Sequence, residues 1–477
     1  MHSEASAPST APETSAPSTG AASAVRPRPA ATLAVTSAAT AVALMTYTAP
    51  MVTLPDTAAS LHTPLSAQAW LLNGTPLGLA ALLLVAGSLA DDYGRRRIFL
   101  SGTVALGITT ALGALAGSTW LFTLTRVAQG AASAAILAAS LGLLVHAFPA
   151  GPGRIRATGV WGAFVSGGIA VGPVLAGAIA SPAGWRWSYV VLGAAALVVA
   201  AFAPRTLTES RAPRPGRPDL AGALTLGLAL VALVAALTLG RDGWLRTPVA
   251  ALLVAAAALL ALFTAVEHRS TAPMLDLTLL RRAPFLASSA GGFFTGFAVI
   301  ALFSYLPTLL QQTLPMSAMA TALLLMIWSG TSFLVALQAR RLAGKVSPRH
   351  QLALGFALHA AAVLTMLPAV DAGPWPLLLP GLLISGAGSG LLNAALPLLA
   401  VTSVPADRAA MGSGANNTAR YIGSAAGVAL MIAVSTSGGS LAHGAQVALV
   451  VSAVLGAVGA VVVLALRGRG RRGGRGR

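Results

Sequence analysis

GSLADDYGRRRIFL, residues 87–100, decides how the rest of the chain is read. Its centre, Asp91-Asp92-Tyr93-Gly94-Arg95-Arg96-Arg97, carries five charges in seven positions, in a chain where charged residues make up 9%. Long apolar runs flank it on both sides. The whole chain has 477 residues, 56% of them apolar, and a mean hydropathy of +0.79. A water-soluble fold cannot hide so much apolar surface behind so few charges. Runs of about 20 apolar residues recur, enough to cross ~30 Å of hydrocarbon as helices. The 51 glycines suit close packing of such helices. The expectation is an all-α polytopic membrane protein, with this stretch as a polar hinge between two of its helices.

Fourteen apolar segments are expected: 31–54, 68–90, 98–117, 119–145, 157–180, 187–204, 219–240, 247–266, 285–309, 318–339, 351–369, 375–402, 411–436 and 443–466. The loops test the count. With the amino terminus inside, 25 of the 30 basic residues fall in inside loops and tails. Only Arg186, Arg241 and Arg246 fall outside, while Arg126 and Arg420 lie in or near helices. A wrong count would scramble this alternation, so the positive-inside rule places both termini in the cytoplasm. Trp70, Trp120, Trp185, Trp187, Trp244 and Trp375 all map to the outer interface, where indole rings are favoured.

The net charge of +18 therefore reads as topology and attraction to anionic lipid, with no nucleic-acid partner expected. The arginine–glycine tail RGRGRRGGRGR is read in the same way. With no cysteine there is no disulfide, thiol chemistry or cysteine metal site. Residues 1–25, rich in Ala, Ser, Thr and Pro, read as a disordered tail and not as a signal peptide.

The loop 341–349, ArgLeuAlaGlyLysValSerProArg, looks like a decayed copy of 89–96, with Gly344 where Asp91 stands. One copy joins segments two and three and the other joins ten and eleven. That implies two six-helix halves with two extra helices between them. The expected divisions are 1–30 (tail), 31–204 (first half), 205–283 (linker with two helices), 284–466 (second half) and 467–477 (basic tail). Parallel repeats of this kind place a substrate site between the halves, near the bilayer midplane.

Gly87-x-Leu89-Ala90-Asp91-x-x-Gly94-Arg95-Arg96 resembles the signature between helices two and three of the major facilitator superfamily. The family pattern usually has a basic residue where this chain has Asp92. A carboxylate flanked by arginines can pair within the loop and cap a helix amino end on the other half, in one conformation and not the other. Gly87, Asp91, Gly94, Arg95 and Arg96 are thus candidate gating residues. Arg126-Val127-Ala128-Gln129-Gly130 resembles the second motif, whose arginine takes part in proton coupling in similar transporters. An arginine about 10 Å inside the outer end of a helix is itself a functional-site hypothesis. Gly159-x8-Gly168-x3-Gly172-Pro173-x2-Ala176-Gly177 resembles the antiporter motif, though Ala176-Gly177 stands for the usual Gly-Gly. TrpArgTrpSerTyr (185–189), Asp219 and the run 268–277 also resemble the fourteen-helix drug:proton antiporters. The similarity covers residues 31 to about 436. It implies the major facilitator fold, a multi-pass protein of the cytoplasmic membrane, and proton-coupled export.

One departure matters. Many relatives have an acid in helix one, nine residues before a Leu-Pro. Counting back from Pro55, Thr46 stands there. No other acid is placed deep in either half, so the expected substrate is neutral, zwitterionic or anionic rather than dicationic. Proton coupling then falls to Asp56, to Arg126 with Gln129, or, with less support, to His359 or His146. Candidate substrate-binding residues are Thr46, Tyr47, Gln68, Asn73, Asn393, Asn416, Asn417 and Arg420. Arg420 has a second reading, as a residue at the cytoplasmic start of segment thirteen.

The leading functional expectation is a secondary transporter exporting small amphipathic compounds. The alternatives are an exporter or importer of a defined neutral or anionic metabolite, and a sensor that moves nothing. A membrane-embedded enzyme would need clustered His, Asp, Glu or Ser at depth. The sequence has no HExxH, no paired intramembrane carboxylates and no phosphate-binding glycine loop. The expected partners are a small-molecule substrate, protons and the lipid bilayer. No cofactor or metal is expected, and no oligomer is required.

Overall fold

The computed structural model describes residues 28–211, 219–240, 243–270, 277–314, 316, 318–342, 345–370, 374–436 and 440–466. The tails up to residue 27 and from 467, Arg214, Arg217, Arg241, Gly344 and Asp371 lie outside the described residues, as does the side chain of Gln68. The first half comprises α1 (Pro29–Thr48), α2 (Pro50–Ser60), α3 (Leu65–Tyr93), α4 (Arg95–Ala114), α5 (Thr119–Ala147), α6 (Pro152–Ala183) and α7 (Trp185–Thr206). Next come α8 (Leu220–Leu239) and α9 (Thr247–Arg269). The second half begins with α10 (Ala283–Phe294), which runs through a π-helical turn (Thr295–Ile300) into α11 (Ala301–Thr313). It continues with α12 (Ala318–Gln338), α13 (Pro348–Leu364), the short α14 (Leu367–Val370), α15 (Leu378–Thr402), α16 (Ala409–Thr436) and α17 (Leu441–Ala465).

Thirteen of these helical stretches are long and apolar enough to cross a bilayer, and the shorter apolar stretch Ala221–Leu237 in α8 supplies a fourteenth. The fourteen expected segments are therefore present. The first departs in detail: it is two helices, α1 and α2, that meet at Ala49.

Each half has its own apolar core. One gathers Leu79, Leu83, Phe99, Ile136 and Leu141, and the other gathers Leu302, Leu306, Leu352, Phe356 and Leu382. Between them the contacts swap symmetrically. The second spanning helix of the first half, α3, packs on the fifth of the second half, α16, and the fifth of the first, α6, packs on the second of the other, α12. Glycines set these approaches. A methyl group at Gly87 would stand 2.4 Å from the Ala410 carbonyl oxygen, so no larger residue lets α3 meet α16 there. The two extra helices form a hairpin, with α8 lying against both α3 and α16 while α9 packs on α8 and is otherwise largely exposed.

Candidate functional site

At the arginine-rich end, α3 stops at Gly94, whose φ of +123° is a conformation that only glycine adopts without strain. The turn aims Asp91 across the boundary between the halves. Its Oδ2 accepts from the Met411 backbone N–H at 2.8 Å, and its Oδ1 accepts from that of Ala410 at 3.3 Å. These are unsatisfied donors of the first turn of α16, where the helix dipole also favours a negative charge. Arg95 donates to Asp91 at 2.8 Å and reaches on to the carbonyls of Asp407 (2.8 Å) and Ala406 (3.2 Å). Asp91 is wholly buried and Arg95 nearly so, so each ion depends on the other. Asp92, where the family pattern is basic, accepts from Arg408 at 3.1 Å. Arg96 turns the other way. Its backbone N–H donates to Glu209 and its guanidinium to the Pro204 carbonyl, tying the loop to the end of α7.

On α5, Arg126 is fully buried. It donates to the backbone carbonyls of Thr46 at 2.7 Å and Tyr47 at 3.0 Å, and to Gln129 Oε1 at 2.8 Å. The carbonyl of Thr46 is free because Pro50, four residues on, has no N–H to offer it, and the proline ring pushes it out of the helix. Position 46, which lacks the acid usual in relatives, thus still serves the arginine through its main chain. Its hydroxyl bonds back to the Val42 carbonyl at 2.9 Å. Gln129 completes the clamp by donating to the Thr109 carbonyl at 3.3 Å. Asp56 is not brought to this cluster. It is exposed on α2 and makes no hydrogen bond or ion pair among the described residues.

Along α6, a methyl at Gly168 would meet the Ala41 carbonyl at 2.6 Å, and one at Gly172 would meet the Thr48 hydroxyl at 2.2 Å. These two glycines let α6 lie against α1. Gly177 faces Val52 and Met319 at 3.1 Å, and Gly159 has ordinary room. Pro173 borders a central cavity between the halves. Tyr47, Asn393 and Arg420 also line it. The other described candidates, Thr46, Asn73, Asn416 and Asn417, do not. Asn416 donates to the Ser288 carbonyl at 2.6 Å, Asn417 donates to the Ser413 carbonyl at 3.1 Å, and Asn73 is half-buried away from the lining. Arg420 is not at the start of its helix: eleven residues of α16 precede it, about 16 Å at helical rise.

The cavity's apolar wall is Trp328 stacked on Phe303, ring centroids 4.0 Å apart. Behind it a polar chain runs from Trp328 Nε1 to Ser385 Oγ (3.2 Å), then to His359 Nδ1 (2.9 Å), and from His359 Nε2 to Ser452 Oγ (3.0 Å). Ser452 donates onward to the Ala298 carbonyl in the π-helical turn. The buried histidine is thus fixed at both nitrogens, whereas His146 is exposed.

A sequence profile of the Major Facilitator Superfamily matches residues 36–428. The chain belongs to this superfamily. Among curated members it is similar to the multidrug resistance protein Stp of Mycobacterium tuberculosis, 32% identical over 381 residues, covering 80% of this chain and 71% of Stp. It is also similar to the tetracenomycin C resistance and export protein of Streptomyces glaucescens, 29% identical over 422 residues, covering 86% of this chain and 76% of that one. Among solved structures, the human organic anion transporter MFSD10 superposes with a TM-score of 0.66 at 17% identity, covering 92% of this chain and all of that one, a likeness of fold. The chain is thus a Major Facilitator transporter, a multi-pass membrane protein and not an enzyme.

Sequence reasoning missed the share of α10–α12 in this superfamily member's cavity, Trp328 and Phe303 above all. A signal was available. Six of the eight tryptophans map to the outer interface, which leaves Trp161 and Trp328 at depth, where an indole N–H needs a partner. Trp161 finds Thr40 at 2.9 Å and Trp328 finds Ser385.

Proposed function

We propose that the chain is a proton-coupled exporter of small amphipathic compounds, such as antibiotics or other secondary metabolites, working by alternating access. One observation carries this reading. The carboxylate of Asp91 bridges the two halves at the arginine-rich end, while the cavity lies among the middle and outer turns of its helices. A cavity closed towards the cytoplasm is one end state of alternating access, and in an exporter it is the state that releases the substrate. Return to the cytoplasmic side breaks the bonds from Asp91 to Ala410 and Met411, and Gly87, Gly94, Arg95 and Arg96 set their geometry. The names of the relatives, which speak of drug resistance and export, point the same way.

Proton coupling is assigned to the broken first span. Arg126 and Gln129 hold its opened turn, and Asp56 stands on α2 just beyond the break, exposed at the outer end. The glycines and Pro173 of α6 let the cavity wall slide along α1 without side chains interlocking. The test is expression in a pump-deficient host across a compound panel, with and without a protonophore, followed by pH-driven flux in vesicles. Protonophore-sensitive resistance is expected, with flux lost in Arg126→Ala and reduced in Asp56→Asn. Resistance indifferent to the protonophore would remove the coupling, and undiminished proton-driven flux in both variants would remove its assignment to these residues.

A further inference from the structure

Among the described residues the cavity has a single charged side chain in its lining, Arg420, and none of them neutralises it. Among the described residues no Asp or Glu lines the cavity, and Arg420 makes no hydrogen bond or ion pair. Its Nε is buried and without an acceptor. Beside it, Tyr47 and Tyr421 meet edge-on at 6.2 Å, and phenols stay uncharged at physiological pH. An arginine cannot shed its proton to escape this position. The residue as a whole is half-buried, and a cation facing an apolar cavity with no counter-charge attracts a group that brings it one. Arg126 shows the contrast within the same molecule: its Nε also lacks an acceptor, but two carbonyls and a carboxamide oxygen take the other nitrogens of its guanidinium, whereas nothing described takes those of Arg420.

We propose that Arg420 is the anion-receiving group of this cavity, and that the compounds moved are amphipathic anions: a flat apolar body bearing a carboxylate, phenolate or sulfonate. The proposal rests on the exporter reading and specifies its substrate. The guanidinium fork takes an oxyanion through two parallel hydrogen bonds. The apolar body lies against the stacked Trp328 and Phe303, with Met51, Leu325 and Met326 completing the wall. Asn393 adds a second specification. Its Nδ2 donates to Ser166 at 2.9 Å, while its Oδ1 is buried and unpartnered, so a hydroxyl or amide N–H on the same compound satisfies it. A lipophilic cation entering here meets an uncompensated positive charge and no carboxylate.

The test uses the purified full-length protein in nanodiscs and two dyes that share a xanthene ring, the anion 6-carboxyfluorescein and the cation rhodamine 123. Fluorescence anisotropy should show tighter binding of the anion. In Arg420→Gln that binding should weaken about tenfold to a hundredfold, the range for a lost charged hydrogen bond. Arg420→Lys should keep part of it, and Arg420→Glu should favour rhodamine 123. Equal affinity of the native protein for both dyes, preference for the cation, binding of neither, or unchanged affinity in Arg420→Gln overturns the proposal. If Arg420→Gln does not give a folded protein by thermal unfolding, the native dye preference and the lysine variant decide. Binding is measured without pumping, which separates the two readings. Arginine-dependent binding with no gradient-driven accumulation in everted vesicles overturns the exporter and leaves the anion site. Protonophore-sensitive pumping of rhodamine 123 alone does the reverse.

Discussion

Asp91 meets two backbone amides and one arginine and is wholly buried, so its charge state and its contacts are inseparable. Asp91→Asn keeps the shape but loses the charge, and it leaves Arg95 with carbonyl dipoles and no counter-ion. Removing one partner of a buried pair costs about 3–5 kcal/mol in the conformation that contains it. The closed end is therefore expected to lose most of its preference, and transport should fall about tenfold or more while membrane insertion stays native. Substrate flux normalised to the amount of inserted protein measures this, and native flux would reduce the loop to a topology anchor. Asp91 stood out in the sequence because a carboxylate is rare among arginines and glycines in a chain this apolar. Its receptors did not, because the amides of Ala410 and Met411 leave no mark in residue identity. Arg420 was visible as an arginine, but its depth in the helix and its lack of a partner were not.

Among the elements, the break between α1 and α2 shows how a proline replaces a missing side chain. Pro50 frees the Thr46 carbonyl, and Arg126 takes it. Pro50→Ala should restore the helical partner of that carbonyl and weaken the clamp. Arg126→Lys should weaken it too, because an ammonium cannot span two neighbouring carbonyls and a carboxamide as a planar fork does. Both variants act on one interaction, so their effects on proton-driven flux should fall short of additive, with a coupling of about 0.5–3 kcal/mol in a double-mutant cycle. Strict additivity would separate the proline from the arginine. The helices themselves were legible from run length and the alternation of arginines. The break was not: a proline in an apolar run announces a free carbonyl but does not say which residue will fill it. The π-helical turn of the ninth span and the cavity wall beside it were equally hidden, since they depend on packing across helices distant in sequence.

For the molecule as a whole, the question is whether the end closed here opens in the working cycle. The natural chain contains no cysteine, so thiols can be placed without background. Asp92 and Arg408 bridge the halves at 3.1 Å. A protein carrying Asp92→Cys and Arg408→Cys, joined by a short reducible cross-linker, is expected to lose transport and to regain it on reduction. Full transport by the cross-linked protein would mean that this end never separates. The hairpin of α8 and α9 bears on the same motion, because α8 lies on both α3 and α16, the helices that the latch joins. The linker arrangement was readable from the sequence as two surplus apolar runs, but not its seat on the seam, since an all-apolar helix shows no preferred face.

The latch is also lopsided in what mutation can do to it. On the first half it hangs on the buried carboxylate of Asp91, with Asp92 beside it and the glycines that aim them. On the second half its receptor is main chain, present whatever side chains occupy positions 410 and 411, provided they are small enough to let α3 approach. Much of the inheritable risk therefore sits in one short loop, and the other half can change its side chains at 410 and 411 but must keep Arg408, which pairs with Asp92, and Gly414, which lets α3 approach.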